Sequence, residues 1–221
     1  MTPLVVFDLD GTLVDSRRDL ADSTNEMLGL YGAAPLPLDA VTRMVGEGAK
    51  VLVARALAAA GVEAPLVDAL GRFRAIYDRR LLHFTRPYDG IPEVVAHVRT
   101  RAVLAVLTNK PEAPSRRLID AFGWADAFRW VVGGDSAFPR KPDPAGLRHL
   151  ISEAGVAAGD TLLVGDSRID VETGRRAGVD VCGAAYGFNA GMAAEALAGA
   201  RWMAASPAGL ITVLDHRARR N

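Results

Sequence analysis

Only one cysteine, Cys182, occurs in the 221 residues. No intrachain disulfide can form, which fits a reducing compartment. Its neighbours Val181, Gly183 and Ala184 are apolar or small, so it is expected to be a buried small hydrophobe rather than a nucleophile. An excess of charge is also missing, because 26 Lys+Arg match 26 Asp+Glu. That excludes the broad basic field of a non-specific nucleic-acid binder. No apolar run is long enough to span a bilayer. No basic segment leads into a long apolar run at the start, where Asp8 and Asp10 interrupt the only early hydrophobic stretch, so no signal peptide is expected. These absences predict a cytoplasmic protein with neither nucleic acid nor membrane as partner. Histidine is sparse too. His83, His97, His149 and His216 are scattered and are expected to be structural or superficial. Lysine is rarest of all among the basic residues: Lys50, Lys110 and Lys141 are the whole set.

What is present is half hydrophobic residues, enough for a sizeable core. Residues 4–10 read as a buried strand. Residues 16–30 read as a helix with Ser16 in the N-cap position. Helical periodicity covers residues 39–83, broken near Gly46–Gly48 and Gly61–Pro65. After Pro87-Tyr88-Asp89-Gly90 strand and helix alternate. Helices are expected over 91–100, 112–122, 143–155 and 168–177, and strands over 103–108, 130–133, 161–164 and 179–184. Such alternation implies an α/β fold with a doubly wound parallel sheet. The helical block 15–85 is then an all-helical domain inserted after the first strand, and the core is discontinuous, 1–14 plus 86–221.

Four strand ends carry polar residues, and ligands gather at the carboxyl ends of strands in open parallel sheets. The first is Asp8-Leu9-Asp10-Gly11-Thr12. Aspartate can act as a nucleophile toward phosphorus, and a second carboxyl can protonate a leaving alcohol and later activate water. Residues two apart on a strand share a face, so Asp8 and Asp10 can approach one substrate. A capping turn explains this stretch equally well in isolation. The second is Thr108-Asn109-Lys110-Pro111, either an anion site at a helix start or a helix cap. The third is Arg140-Lys141-Pro142-Asp143-Pro144, where prolines hold a lysine that can act as a point charge on phosphate, although a solvated surface lysine is the commoner case. The fourth is Gly165-Asp166-Ser167-Arg168-Ile169-Asp170. A helix starting near Ser167 would turn Asp170 back toward Asp166, although an acidic first turn is also what a helix dipole favours.

Electrostatics links the four. Asp8, Asp10, Asp166 and Asp170 would converge with a phosphate dianion against one lysine, Lys141. Two like charges about 4 Å apart cost on the order of 4 kcal/mol at an effective dielectric near 20. A cation is required, and hard oxygen ligands beside a phosphate point to Mg²⁺.

In this order and spacing the four segments resemble the motifs of the haloacid dehalogenase-like hydrolases. The resemblance spans nearly the whole chain. It implies a Rossmann-like core, a helical cap and a Mg²⁺-dependent phosphatase acting on a small phosphorylated metabolite. By that resemblance Asp8 is the nucleophile and a metal ligand. Asp10 is the acid/base and lends its backbone carbonyl to the metal. Asp166 is a direct metal ligand and Asp170 supports through water, while Thr108, Asn109 and Lys141 hold the phosphoryl group. Asp15-Ser16, Val45-Gly46-Glu47-Gly48-Ala49, Val132-Gly133-Gly134-Asp135 and Tyr186-Gly187-Phe188-Asn189 are similar to segments of the phosphoglycolate phosphatases, with 2-phosphoglycolate as the implied substrate. The stretch around Gly46–Gly48 matches the loop with which that family reads its substrate, and Arg43 and Lys50 flank it as candidate partners for a substrate carboxylate. Glu47 departs from the small or amide residue usual there. Its carboxylate is expected to point away from such a substrate or to pair with Arg43 or Lys50. Pyrophosphatases, nucleotidases and β-phosphoglucomutase-like transferases share these motifs, and a non-catalytic binding module could share the scaffold.

Overall fold

The computed structural model describes residues 2–218, and the chain divides into two compact units, one from the residues up to Val14 with those from Pro87 onward, the other Asp15–Arg86.

In chain order the first unit begins with β1 (Leu4–Phe7) and ends its N-terminal part at β2 (Val14–Asp15). The second unit holds α1 (Arg17–Gly29), α2 (Leu38–Thr42), α3 (Ala49–Ala59) and α4 (Leu66–Arg80), and β3 (Arg86–Pro87) leads back. The first unit then continues with α5 (Ile91–Val98), β4 (Val103–Leu107), α6 (Glu112–Ala121), β5 (Phe128–Val132), α7 (Ala145–Ala154), β6 (Thr161–Gly165), α8 (Arg168–Ala177) and β7 (Asp180–Ala184). It closes with α9 (Ala193–Ala196), β8 (Trp202–Ala204) and α10 (Pro207–Ala218).

Six strands form one parallel sheet in the order β5-β4-β1-β6-β7-β8. This is the α/β doubly wound arrangement, with β1 in the middle and neighbours added on both sides. Both faces of β1 are buried, which is why Leu4-Val5-Val6-Phe7 is an unbroken apolar run. Leu4 and Val6 pack with Leu147 and Leu150 of α7 and Val171 of α8 in one cluster. Val5 and Phe7 face the other way by strand alternation, and Phe7 meets Phe128 edge to face with centroids 6.1 Å apart. On α5 the buried residues Ile91, Val94, Val95 and Val98 recur at helical spacing and form one apolar stripe. Register aligns Phe7 with Val106 on one side and Val164 on the other. The segments beginning at Asp8, Thr108 and Asp166 therefore leave the sheet at one edge, at the point where the strand order reverses.

In the helical unit α1 packs against α2, α3 and α4. Leu20, Met27, Leu28, Leu52, Phe73 and Ile76 are buried there. Gly48 and Gly61 take positive φ at the two breaks between helices, a conformation that glycine adopts without steric cost. Asp19 is fully buried, and its carboxylate accepts hydrogen bonds from Phe84 N, Thr85 N and Thr85 Oγ1.

Several expectations need correction. The first strand stops at Phe7 instead of residue 10, because Leu13 N and Val14 N both bond back to Leu9 O and curl the chain into a turn. Ser16 stands at the N-cap of α1, but its side chain makes no capping bond; Asp15 Oδ1 takes Arg17 N at 3.1 Å instead. The elements β8 and α10 lie beyond the last segment that alternation marked. Among the described residues no helix is long and apolar enough to cross a membrane.

Candidate active site

The turn after β1 carries Asp8 and Asp10. Asp8 is buried, and its N–H donates to Val164 O at 2.8 Å, so the backbone is locked to β6 as the strand ends. Gly11 follows with φ +84°, and any side chain there would overlap the Asp166 carboxylate. The chain can turn this tightly beside an acid only at glycine.

The turn after β4 carries Thr108, Asn109 and Lys110, all buried. Neither Thr108 nor Asn109 caps α6. Glu112 N donates instead to Asp135 Oδ1 at 2.7 Å. Thr108 Oγ1 accepts Lys110 N at 3.2 Å, and Asn109 Nδ2 donates to Lys141 O at 3.0 Å. Asn109 thus holds the loop that delivers Lys141. The Lys141–Pro142 peptide is cis.

Lys141 reaches the centre of the site. Its Nζ lies 2.6 Å from Asp170 Oδ1 and 2.9 Å from Asp8 Oδ1, with the side chain only 3% exposed. Burial alone would lower its pKa, but the Asp170 and Asp8 carboxylates outweigh that and hold it well above the usual lysine range. Asp170 is fully buried and serves two partners. One oxygen takes Lys141, and the other accepts Ser167 N at 3.1 Å and Ser167 Oγ at 2.6 Å. It therefore caps α8, as an acidic first turn does, and fixes the lysine at once. Asp166 Oδ2 accepts Phe188 N at 2.8 Å.

Asp8, Asp166 and Asp170 can each offer an oxygen within 4.8 Å of the other two. Desolvation pushes the Asp8 pKa up to about 6; Lys141 opposes and Asp170 adds to the rise. Desolvation, then Asp170 and Asp8, push Asp166 well above the ordinary carboxylate range. Three buried carboxylates around one ammonium lack positive charge. Asp8 Oδ1 has Lys141 Nζ as an ion-pair partner at 2.9 Å but no well-directed hydrogen bond. A buried oxygen without a directed hydrogen bond, in a group of three carboxylates short of positive charge, fits Mg²⁺, which takes hard oxygen ligands at about 2.1 Å.

A stability test follows. A carboxyl whose folded pKa is raised binds its proton more tightly when folded, so its ionisation destabilises the metal-free protein as pH rises from about 4 to about 6. The metal-free Tm is expected to be lower at pH 7 than at pH 5.5, and Mg²⁺ should raise Tm more at pH 7. Equal Mg²⁺ stabilisation at both pH values, measured by calorimetry, would contradict this.

Asp10 stands outside the three-carboxylate group. Its two oxygens lie 3.2 and 3.1 Å from Lys110 Nζ. The expectation of four acids against one lysine is thus corrected: two of the chain's three lysines are buried in this site. The only sequence signal for Lys110 was the scarcity of lysine itself.

The haloacid dehalogenase-like hydrolase family model matches residues 5–184. The chain belongs to this family. A phosphoglycolate phosphatase of Rhodospirillum rubrum is 45% identical over 197 residues, covering 86% of this chain and 82% of that protein. A phosphoglycolate phosphatase of Pseudomonas putida is 42% identical over 199 residues, covering 87% and 73%. A crystal structure described as a predicted phosphoglycolate phosphatase from Haemophilus somnus 129PT has a TM-score of 0.89 at 30% identity, over 96% of this chain and 97% of that one.

The helical unit of this haloacid dehalogenase-like hydrolase places Arg43 at the end of α2, Gly46 and Glu47 in the loop that follows, and Lys50 in the first turn of α3. Arg43, Glu47 and Lys50 are exposed. Glu47 pairs with neither flanking cation. Its partner is Arg55, one turn further along α3, whose Nη1 also donates to Met44 O at 3.3 Å. The reason is helical spacing, which brings Arg55 of α3 back over the loop. Cys182 is buried in β7, and burial pushes its thiol up to about 12, so it is inert as expected. His97 contacts Asp215, and His149 stacks on Phe138; both are structural.

Proposed function

We propose that the chain is a Mg²⁺-dependent phosphatase for a small phosphomonoester, 2-phosphoglycolate, acting through an aspartyl-phosphate. The observation that carries this reading is the buried cluster of Asp8, Asp166 and Asp170 around Lys141, on a chain 45% identical to a phosphoglycolate phosphatase.

In this mechanism an Asp8 oxygen attacks phosphorus as the bond from phosphorus to the ester oxygen breaks. Asp10 gives its proton to the departing alkoxide. Asp10 then takes a proton from water, whose oxygen attacks the phosphorus on Asp8; phosphate leaves and Asp8 is regenerated. Thr108 and Asn109 position the phosphoryl oxygens, and Lys141 supplies them with positive charge. Asp8, Asp166 and the backbone carbonyl of Asp10 would hold Mg²⁺, with Asp170 behind them. When bound, the ion neutralises charge on the nucleophile and the phosphoryl group. The helical unit is the cap, and Arg43, Gly46, Glu47 and Lys50 contribute to choosing the leaving group. The enzyme would work in the cytoplasm on a free metabolite.

Phosphate release with Mg²⁺ from a panel of small phosphoesters and pyrophosphate tests the substrate. At least a roughly tenfold higher kcat/KM for 2-phosphoglycolate than for any other compound is expected, a difference of about 1.4 kcal/mol in transition-state binding. A higher value for another compound would overturn the substrate and keep the reaction.

A further inference from the structure

Lys141 is committed to Asp8 and Asp170. Lys110 is paired instead with the second acid of the first turn, Asp10. Its side chain is 4% exposed, and its Nζ bonds both oxygens of Asp10. Its backbone is pinned at both ends: Lys110 N donates to Thr108 Oγ1, and Lys110 O accepts Gly134 N at 2.8 Å. Any side chain at Gly134 would overlap Asn109 O, so that approach is closed to other residues. A buried ammonium is costly unless opposing charge stays close, and its placement is too rigid for a solvated lysine.

The mechanism proposed above puts Asp10 on the ester oxygen. An ammonium bonded to Asp10 is then about two hydrogen-bond lengths from that oxygen. In 2-phosphoglycolate the carboxylate is one methylene away from the same oxygen and spans that gap. We propose that Lys110 is a specificity-determining residue, holding an anionic group on the leaving alcohol. As a compact cation held at Asp10, the ammonium can attract the substrate carboxylate by its charge. Selection for a carboxylate is thus built into the core, next to the acid/base, in addition to any cation of the helical unit. The inference rests on the phosphatase reading and names what that site recognises.

The test compares kcat/KM for 2-phosphoglycolate with that for its neutral isostere, 2-phosphoglycolamide, in the full-length protein with Mg²⁺. The unmodified protein should prefer the acid. In Lys110→Met both rates fall, since Asp10 loses a partner, but the preference for the acid should drop roughly 10- to 100-fold, the range of a charge-assisted hydrogen bond. Lys110→Gln keeps a donor toward Asp10 and should show the same loss of preference, which covers the case of a methionine variant that does not fold. Equal loss for both substrates would overturn the proposal, because Lys110 would then act only through Asp10. No preference for the acid in the unmodified protein would overturn the substrate reading as well.

Discussion

Asp8→Asn is expected to lower kcat for phosphate release by at least ~10⁴-fold, as removal of a covalent nucleophile does elsewhere, while leaving the metal-free protein as stable as before or more so. The two halves have one cause. Asp8 is buried beside Asp170, with a pKa pushed up to about 6 chiefly by desolvation. A neutral amide of the same shape removes a charge that the fold accommodates at a cost. It also removes the oxygen that attacks phosphorus in the proposed mechanism. Activity from a phosphate-release assay and Tm without divalent cation, measured on the same preparation, should therefore move in different directions. A variant that lost activity and several degrees of Tm together would indicate that Asp8 is mainly a structural acid. A variant keeping a tenth of its activity would remove Asp8 from the nucleophile's role.

Lys141→Met carries the second large effect, and here activity and stability should fall together. The ammonium is 3% exposed and ion-paired with Asp170 and Asp8 at 2.6 and 2.9 Å. Its loss strands a fully buried Asp170 carboxylate, a change that typically costs about 3–5 kcal/mol. For a chain of this size that is a Tm drop of roughly 10 °C. Arginine is no substitute, because a planar fork does not fit where a compact ammonium meets two carboxylates in a closed space. Adding Asp170→Asn to Lys141→Met should restore much of the stability, since the orphaned charge is gone, and none of the activity. A single Lys141→Met variant melting within about 2 °C of the parent would contradict the packing account.

Most of the core was legible because buried parallel strands are near-continuous apolar runs, and Leu104–Leu107 or Leu162–Val164 cannot be read otherwise. The stretch Trp202–Ala204 hid because it is three residues long at the sheet edge, with Met203 56% exposed. It becomes a strand only by pairing with β7, and pairing is not a property of local pattern. Strands of two residues such as Val14–Asp15 are invisible for the same reason.

In the site, the acids at strand ends stood out, while their counter-charges did not. Lys141 could be picked out beside Pro142 and Pro144. Lys110 looked like any lysine in a turn, and only the approach of Asp10 across 100 residues of sequence reveals that it is buried. Glu47 shows the reverse case. Its carboxylate was visible in the sequence, but its partner is Arg55, eight residues on in α3, rather than the flanking Arg43 or Lys50.

The central claim is that Asp8 takes the phosphoryl group. Rapid acid quench of the enzyme turning over ³²P-labelled 2-phosphoglycolate with Mg²⁺, followed by peptide mapping, tests it most directly. The account predicts label on the peptide containing Asp8, released by hydroxylamine and absent from Asp8→Asn. Turnover with no labelled protein at any quench time, or with label on another residue, would contradict it.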